Sequence, residues 1–254
     1  MSKTVDLSVV IGIDRKTLEQ ANVSIPTWRK NRPDMWFMPW VVFYDPFQLL
    51  EREVDQFIMR QNLPAVVVPW ENDYETQREK MLSGFVHVPP RTVETQWWMK
   101  VDTDALAFPH DNWLEESWFE PDADGVEAEY IASSWGYTKA KGGGGDITEW
   151  ANNLERWGDQ FETPRLGLEK YIDGQRINYK RMCSWVSYYN TEASKHLLEH
   201  CEDKLPVPSQ DTLVWYYTAR RGGRCIHAGM KRRGWTNTSK IKNLRIQAEE
   251  ILNG

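Results

Sequence analysis

The sequence predicts an α/β fold built on a mainly parallel central sheet flanked by helices, and three observations carry that reading. Short continuous apolar runs of strand type alternate with helix-period segments through the first hundred residues. The intervening helical stretches imply right-handed crossovers between parallel neighbours. The fourth apolar run ends abruptly in two aspartates one residue apart, Asp102 and Asp104, at the carboxyl end of a strand, where open α/β sheets gather ligands.

The elements follow in order. "LSVVIGI" (Leu7 to Ile13) is the first strand, and "TLEQANVSIPTWRKN" after it mixes helix formers with a break expected at Pro26. "WFMPWVVFYD", Trp36 to Asp45, is the second strand candidate. The segment "FQLLEREVDQFIMRQN" sets Leu49, Leu50, Val54, Phe57 and Ile58 at helical spacing. "AVVVPW" is a third strand, "YETQREKMLSGF" a helix, and "TQWWMKV" the fourth strand, which runs into the acidic pair. Further on, Trp135 in "IASSWGY" and Trp185 in "MCSWVSYY" lie in strand-like stretches. In "SKHLLEHC", His196 and His200 share one helix face, but Leu197 stands where a zinc-hydrolase motif needs Glu, so a plain helix face is expected.

Composition narrows the function classes. A chain of 254 residues with 41% hydrophobic residues and a formal charge of -6 can bury a substantial core, and one domain of two lobes is expected. The apolar run before Asp14 is too short to span a membrane, and no other segment comes near a span. Three cysteines, Cys183, Cys201 and Cys225, have no C-x-x-C spacing, which argues against a disulfide framework and for a reducing, cytoplasmic setting. No acidic residue occurs between Asp211 and Glu249, whereas nine basic ones do. That piece is an anion-seeking surface on an acidic protein, or, from Lys240 onward, a solvated arm pairing with the acidic body. Phosphate loops, dinucleotide fingerprints and nucleophile elbows are absent.

Paired carboxylates repel, so a positive group should lie between or beside Asp102 and Asp104, and Mg2+ or Mn2+ with its hard oxygen ligands is the natural candidate. The pattern is weak by itself: 16 aspartates in 254 residues produce about one D-x-D by chance. Indeed, a second copy stands at Asp122 and Asp124, among Pro and Gly with no strand before it, and is expected to be a solvated turn.

In its setting, the first D-x-D resembles that of the GT-A class of nucleotide-sugar-dependent glycosyltransferases. "KVDTDALAF" is similar to the Lys-x-Asp-Asp-Asp segment of β-1,3-galactosyltransferase-like enzymes, with Thr103 in place of the middle aspartate. The resemblance implies a GT-A-like domain over residues 1–254. Residues 1–110 would form a Rossmann-like nucleotide-sugar half, merged with an acceptor-binding half over 111–254. It implies Mn2+ or Mg2+ on Asp102 and Asp104, holding the diphosphate of a UDP- or GDP-linked sugar. Near the C-terminus, "CIHAGMKRRGW" offers His227 as a third metal ligand and Lys231, Arg232 and Arg233 for the leaving diphosphate. In "VPSQDTLVWYY", Asp211 opens a helix and reads equally as a dipole-favoured charge near the cap and as the base of an inverting transfer.

Other features stay open. Arg78 and Lys80, on the helix before the fourth strand, face either solvent or the donor. Gly142 to Gly145 form a surface loop or a lid. Among 14 tryptophans most should fill core, with Trp135 and Trp185 the candidates for sugar stacking. The expected partners are a nucleotide sugar and a glycan or glycoconjugate acceptor, with peripheral membrane contact left open and nucleic acid disfavoured by the net charge. A nucleotidyltransferase of similar fold and a non-catalytic carbohydrate-binding module are the alternatives. The first usually carries an early glycine-rich nucleotide loop, which "IGIDRKTLEQ" does not supply.

Overall fold

The computed structural model describes residues 5–74, 76–110, 113–138, 179–199, 210, 211, 214, 217, 218, 223–228, 235–238 and 240–254. Strand β1 (Leu7–Ile13) is buried along its whole length, as befits an interior strand of a parallel sheet. Asp14 stops it and caps helix α1 (Arg15–Asn31): its Oδ1 accepts from Thr17 N at 2.7 Å, and Thr17 Oγ1 accepts from the Asp14 amide at 2.7 Å. Such reciprocal capping satisfies two donors that a helix end would otherwise leave bare. Contrary to the break expected at Pro26, α1 runs straight through it. Proline removes one backbone bond, but Ala21, Ile25 and Trp28 are all fully buried on one face, and that packing outweighs the loss.

The second strand is shorter than the sequence suggests. A 3-10 turn occupies Pro33–Phe37, and β2 starts only at Trp40 and runs to Tyr44. Helix α2 (Glu51–Gln61) ends on Asn62 in the left-handed region at φ 51°, followed by β3 (Ala65–Pro69), α3 (Gln77–His87), a short α4 (Pro89–Thr92) and β4 (Trp97–Val101). Beyond the aspartates come β5 (Ala105–Ala107), β6 (Ala128–Thr138), β7 (Tyr179–Asn190), α5 (Thr191–Glu199), β8 (Arg224–His227), β9 (Trp235–Asn237) and α6 (Ile241–Asn253). Strands β6 and β7 contain the expected strand-like stretches around Trp135 and Trp185.

Among the described residues, seven strands form one sheet in the order β3-β2-β1-β4-β7-β6-β8, while β5 and β9 pair separately. Strands β1 to β4 are mutually parallel, β7 runs antiparallel to β4 and β6, and β8 is parallel to β6. One face packs against α1 through Val9, Ile11, Met99 and Trp28, and the other holds Val10, Phe43, Trp98 and Tyr189. The second D-x-D is the expected turn: Asp122 Oδ1 accepts from the amides of Asp124 and Val126, and Gly125 takes φ +79°. From Lys240 onward the chain is not a solvated arm, because α6 buries Leu244 and Ala248 against Leu106. Among the described residues no helix is long and apolar enough to cross a membrane.

Phe43 sets the spacing between β1, β2 and α3. A Cβ on Gly12 of β1 would lie 2.3 Å from its ring, and so would one on Gly84 of α3. The ring is fully buried and meets Phe85 edge-on at 4.8 Å, so it has nowhere to retreat. Gly84→Ala should therefore destabilise the fold by about 1–3 kcal/mol, the usual cost of overpacking. Denaturant unfolding will show it as a lowered midpoint with an unchanged slope.

Candidate active site

The site forms where β4 meets β7. Their antiparallel register sets Trp98 opposite Tyr189 and Lys100 opposite Ser187, and residues two apart on a strand share a face. On that face the Tyr189 ring stacks on Trp98 at 4.1 Å and on Tyr130 at 5.1 Å. The hydroxyl is thereby aimed at Asp211, donating to its Oδ1 at 2.6 Å. Asp211 and its neighbour Gln210 are helical and buried. Tyr189 OH also lies 3.1 Å from the Gln210 amide oxygen, but its single proton serves the shorter bond to the carboxylate.

Lys100 joins this cluster to the acidic pair. Its Nζ lies 3.2 Å from Asp102 Oδ1 and 3.4 Å from Asp211 Oδ2, with only 4% of the side chain exposed. Burial works against its charge, yet Asp102 and Asp211 more than offset that and hold its pKa above the ordinary lysine value, so it stays an ammonium. Asp102 is pushed up to about 7, chiefly by burial, with Asp211 and Asp104 adding to the rise and Lys100 opposing it. Tyr189 is raised well above the usual phenol range by burial and by Asp211, and so remains a donor.

Asp102 and Asp104 lie at the carboxyl end of the fourth strand, just beyond its last residue. Strand β4 ends at Val101, and the two occupy the turn that follows, closed by the Ala105 amide on the Asp102 carbonyl at 2.9 Å. Thr103 between them is held on α1, its hydroxyl donating to Gln20 Oε1 at 3.0 Å while Ser24 Oγ donates to the Thr103 carbonyl at 2.7 Å. On the far side the Asp104 carbonyl accepts from Thr238 next to β9. The turn is thus fixed from both flanks. Among the described residues no group of three His, Cys, Asp or Glu is arranged to hold a metal. The pair still suits a hard divalent cation: both are carboxylates, and 28% of the Asp102 side chain remains open at the carboxyl edge of the sheet.

Other sequence candidates are placed as follows. Arg78 is exposed on α3, whereas Lys80 is buried and bonded to Asp45 Oδ1 at 2.7 Å, with Phe47 over its ammonium at 4.5 Å. Asp45 and Asp14, which accepts from Gln77 Nε2 at 3.3 Å, line the same carboxyl edge just after β2 and β1. His227 closes β8 opposite Ala132. Its side chain, the side chains of Trp135 and Trp185, and all of His200, Lys231, Arg232, Arg233 and Gly142 to Gly145 lie outside the described residues. His196 pairs through Nδ1 with the Tyr217 hydroxyl, in line with a structural helix face.

Lys100, Tyr189, Ser187 and Asp45 were not singled out from the sequence. Lys100 had a signal: it is the single charge in the otherwise apolar run "WWMKV", and a charge in a buried strand must have a partner. Tyr189 had none, because its role depends on the β4–β7 register.

The three-dimensional arrangement has clear counterparts. The fold is GT-A. Core-mannan synthase A from Aspergillus fumigatus, in an Mn/GDP form, superposes with a TM-score of 0.59 at 9% identity, covering 93% of this chain and 75% of that one. A mannosyltransferase from Pyrobaculum calidifontis in complex with GDP-mannose and Mn2+ gives 0.52 at 13% identity over 90% and 56% of the two chains. A putative glucose-1-phosphate thymidylyltransferase from Bacillus anthracis gives 0.53 at 9% identity over 96% of each. No family model and no curated protein sequence matches the chain.

The raised Asp102 carboxyl makes stability depend on pH in a defined direction. Unfolded, it titrates near 3.8, and folded near 7, so between those values the native state binds more protons and loses stability as pH rises. Asp102→Asn should remove that part of the slope. Melting curves of the metal-free proteins from pH 4 to 8 should show the wild type falling relative to the variant, and parallel curves would refute the assignment.

Proposed function

We propose that this chain is a metal-dependent glycosyltransferase moving a sugar from a nucleoside-diphosphate donor to an acceptor hydroxyl on a glycan or glycoconjugate. The observation that carries the reading is the D-x-D turn at the carboxyl end of the fourth strand of a GT-A sheet, tied through Lys100 to a second carboxylate, Asp211. Asp102 and Asp104 would hold Mn2+ or Mg2+, with His227 as third ligand. Such an ion supplies positive charge for the leaving diphosphate. Lys231, Arg232, Arg233 and Arg78 are the proposed cationic contacts to the donor, which is UDP- or GDP-linked. The Mn/GDP and GDP-mannose forms of the structural neighbours support a guanine donor as the first to test. Residues 1–110 are proposed as the donor half and 111–254 as the acceptor half, in a protein working in a reducing cytoplasm.

In an inverting transfer the acceptor oxygen attacks the anomeric carbon. As that C–O bond forms, the bond from the sugar to the diphosphate breaks and the diphosphate keeps the electron pair. Asp211 takes the acceptor proton, which requires it to loosen one of the groups that hold it, among them Lys100, Tyr189 and Ser187. Lys100 and Tyr189 stay protonated in the fold, so Asp211 is the member of this trio able to accept.

A ligand that binds only the folded state raises its melting temperature. UDP, GDP, ADP, CDP and dTDP, each with Mn2+, Mg2+ or EDTA, should give a metal-dependent rise for one base, and Asp104→Ala should abolish it while leaving the unliganded melting curve in place. Unchanged nucleotide affinity in that variant would remove the metal site. The neighbour from Bacillus anthracis keeps a nucleotidyltransferase reading in play. A melting shift with nucleoside triphosphates and pyrophosphate release from a sugar phosphate would favour it.

Asp211→Asn separates a base from a structural acceptor. If Asp211 takes the proton, kcat should fall by roughly 10²–10⁴-fold with KM for the donor little changed. Full activity in the variant would reduce Asp211 to an anchor for Tyr189 and Lys100.

A further inference from the structure

We infer that Lys100 is a built-in counter-cation that keeps the D-x-D site from taking a divalent metal alone, so that metal and nucleoside diphosphate bind as a coupled pair. The inference rests on the proposed glycosyltransferase reading. Lys100 is a positioning residue here, since it acts through Asp102 and Asp211 and is itself almost wholly buried. Its ammonium cannot leave: β4 fixes the backbone, Phe85 lies 5.4 Å from Nζ, and carboxylates stand on two sides. Asp102 Oδ1, a candidate metal ligand, is already engaged at 3.2 Å.

A divalent ion arriving at Asp102 must share that carboxylate with the ammonium and stand a few ångströms from a like charge, a repulsion strengthened by the low local dielectric. The diphosphate removes the obstacle by adding negative charge and oxygen ligands on the open side. The two ligands therefore help each other by one common factor. Asp211 sets the balance, because it draws Lys100 away from Asp102 by offering a second partner at 3.4 Å.

The test measures Mn2+ affinity by electron paramagnetic resonance and calorimetry, with and without UDP or GDP. Wild type should bind Mn2+ weakly alone and about a hundredfold more tightly with the correct nucleotide, near the upper end of ordinary coupling. Lys100→Gln, which keeps a hydrogen-bond donor without the charge, should tighten Mn2+ binding alone and cut the coupling factor about tenfold. Lys100→Arg should restore the coupling. A purely structural lysine would instead weaken both modes of binding together. If circular dichroism shows that Lys100→Gln does not fold, Asp211→Asn provides the opposite arm: Lys100 then rests on Asp102 alone, Mn2+ binding alone weakens, and the coupling factor grows.

Equal coupling in wild type and Lys100→Gln, or no growth in Asp211→Asn, overturns the role of Lys100 while leaving the function standing. Tight Mn2+ binding by wild type without nucleotide also overturns it. A wild type that binds neither nucleotide under any metal condition overturns the function and this inference with it.

Discussion

The site depends on one buried ammonium. Lys100 sits between the carboxylates of Asp102 and Asp211, which come from chain segments more than a hundred positions apart. Without a positive charge there, the strand end and the helix bearing Asp211 would repel each other inside a poorly solvated space. Removing one partner of a buried ion pair costs far more than the pair contributes. The pair is thus a constraint on geometry more than a source of stability: it settles which carboxylates meet, and where.

The surrounding fold supplies what that constraint needs. The run Trp97 to Val101 is buried on both faces, so Lys100 has no route to water and must find its partners within the protein. Antiparallel pairing with β7 brings Ser187 and Tyr189 onto the same face. The stacked rings of Trp98, Tyr189 and Tyr130 then fix the phenol hydroxyl that holds Asp211. Many of the tryptophans work in this way, as packing that locks polar groups in place: Trp28 donates to the Ala105 carbonyl at 2.7 Å, Trp98 to Ser194 Oγ at 3.0 Å, and neither is open to a sugar.

The strand and helix rhythm of the first hundred residues was legible because parallel strands covered by helices read as unbroken apolar runs. Pro26 misled because its local preference against helix was overridden by three buried side chains on the same face. The start of β2 misled because "WFMPW" is apolar enough for strand, although Pro33 and Pro39 bracket a 3-10 turn. The aspartate pair was legible by position but not by orientation, since both lie past the last strand residue, on a turn whose shape is set by Gln20 and Ser24 of α1. Lys100 stands inside that same motif as a lone charge in an apolar run. A local pattern showed a charge, and only the register of β4 with β7 and the helix above them showed what the charge is for.

The C-terminal segment shows the same dependence on tertiary context. Its basic residues suggest an anion-seeking surface or a solvated arm pairing with the acidic body; the pairing is there, Arg245 with Glu19 at 2.8 Å, but the arm is a helix, α6, docked on α1, with Lys30 Nζ capping the carbonyls of Ile251 and Leu252 at 3.1 and 3.0 Å. Just before α6, β9 pairs with β5, the strand that leaves the D-x-D turn, and Thr238 donates to the Asp104 carbonyl. Thr238 therefore does for Asp104 what Gln20 and Ser24 of α1 do for Thr103, holding one side of the turn. In sequence, Lys231, Arg232 and Arg233 fall between β8, anchored beside β6, and β9, anchored beside the turn. The C-terminal segment is thus joined to the acidic turn through its backbone, by the β5–β9 pairing and the Thr238 amide.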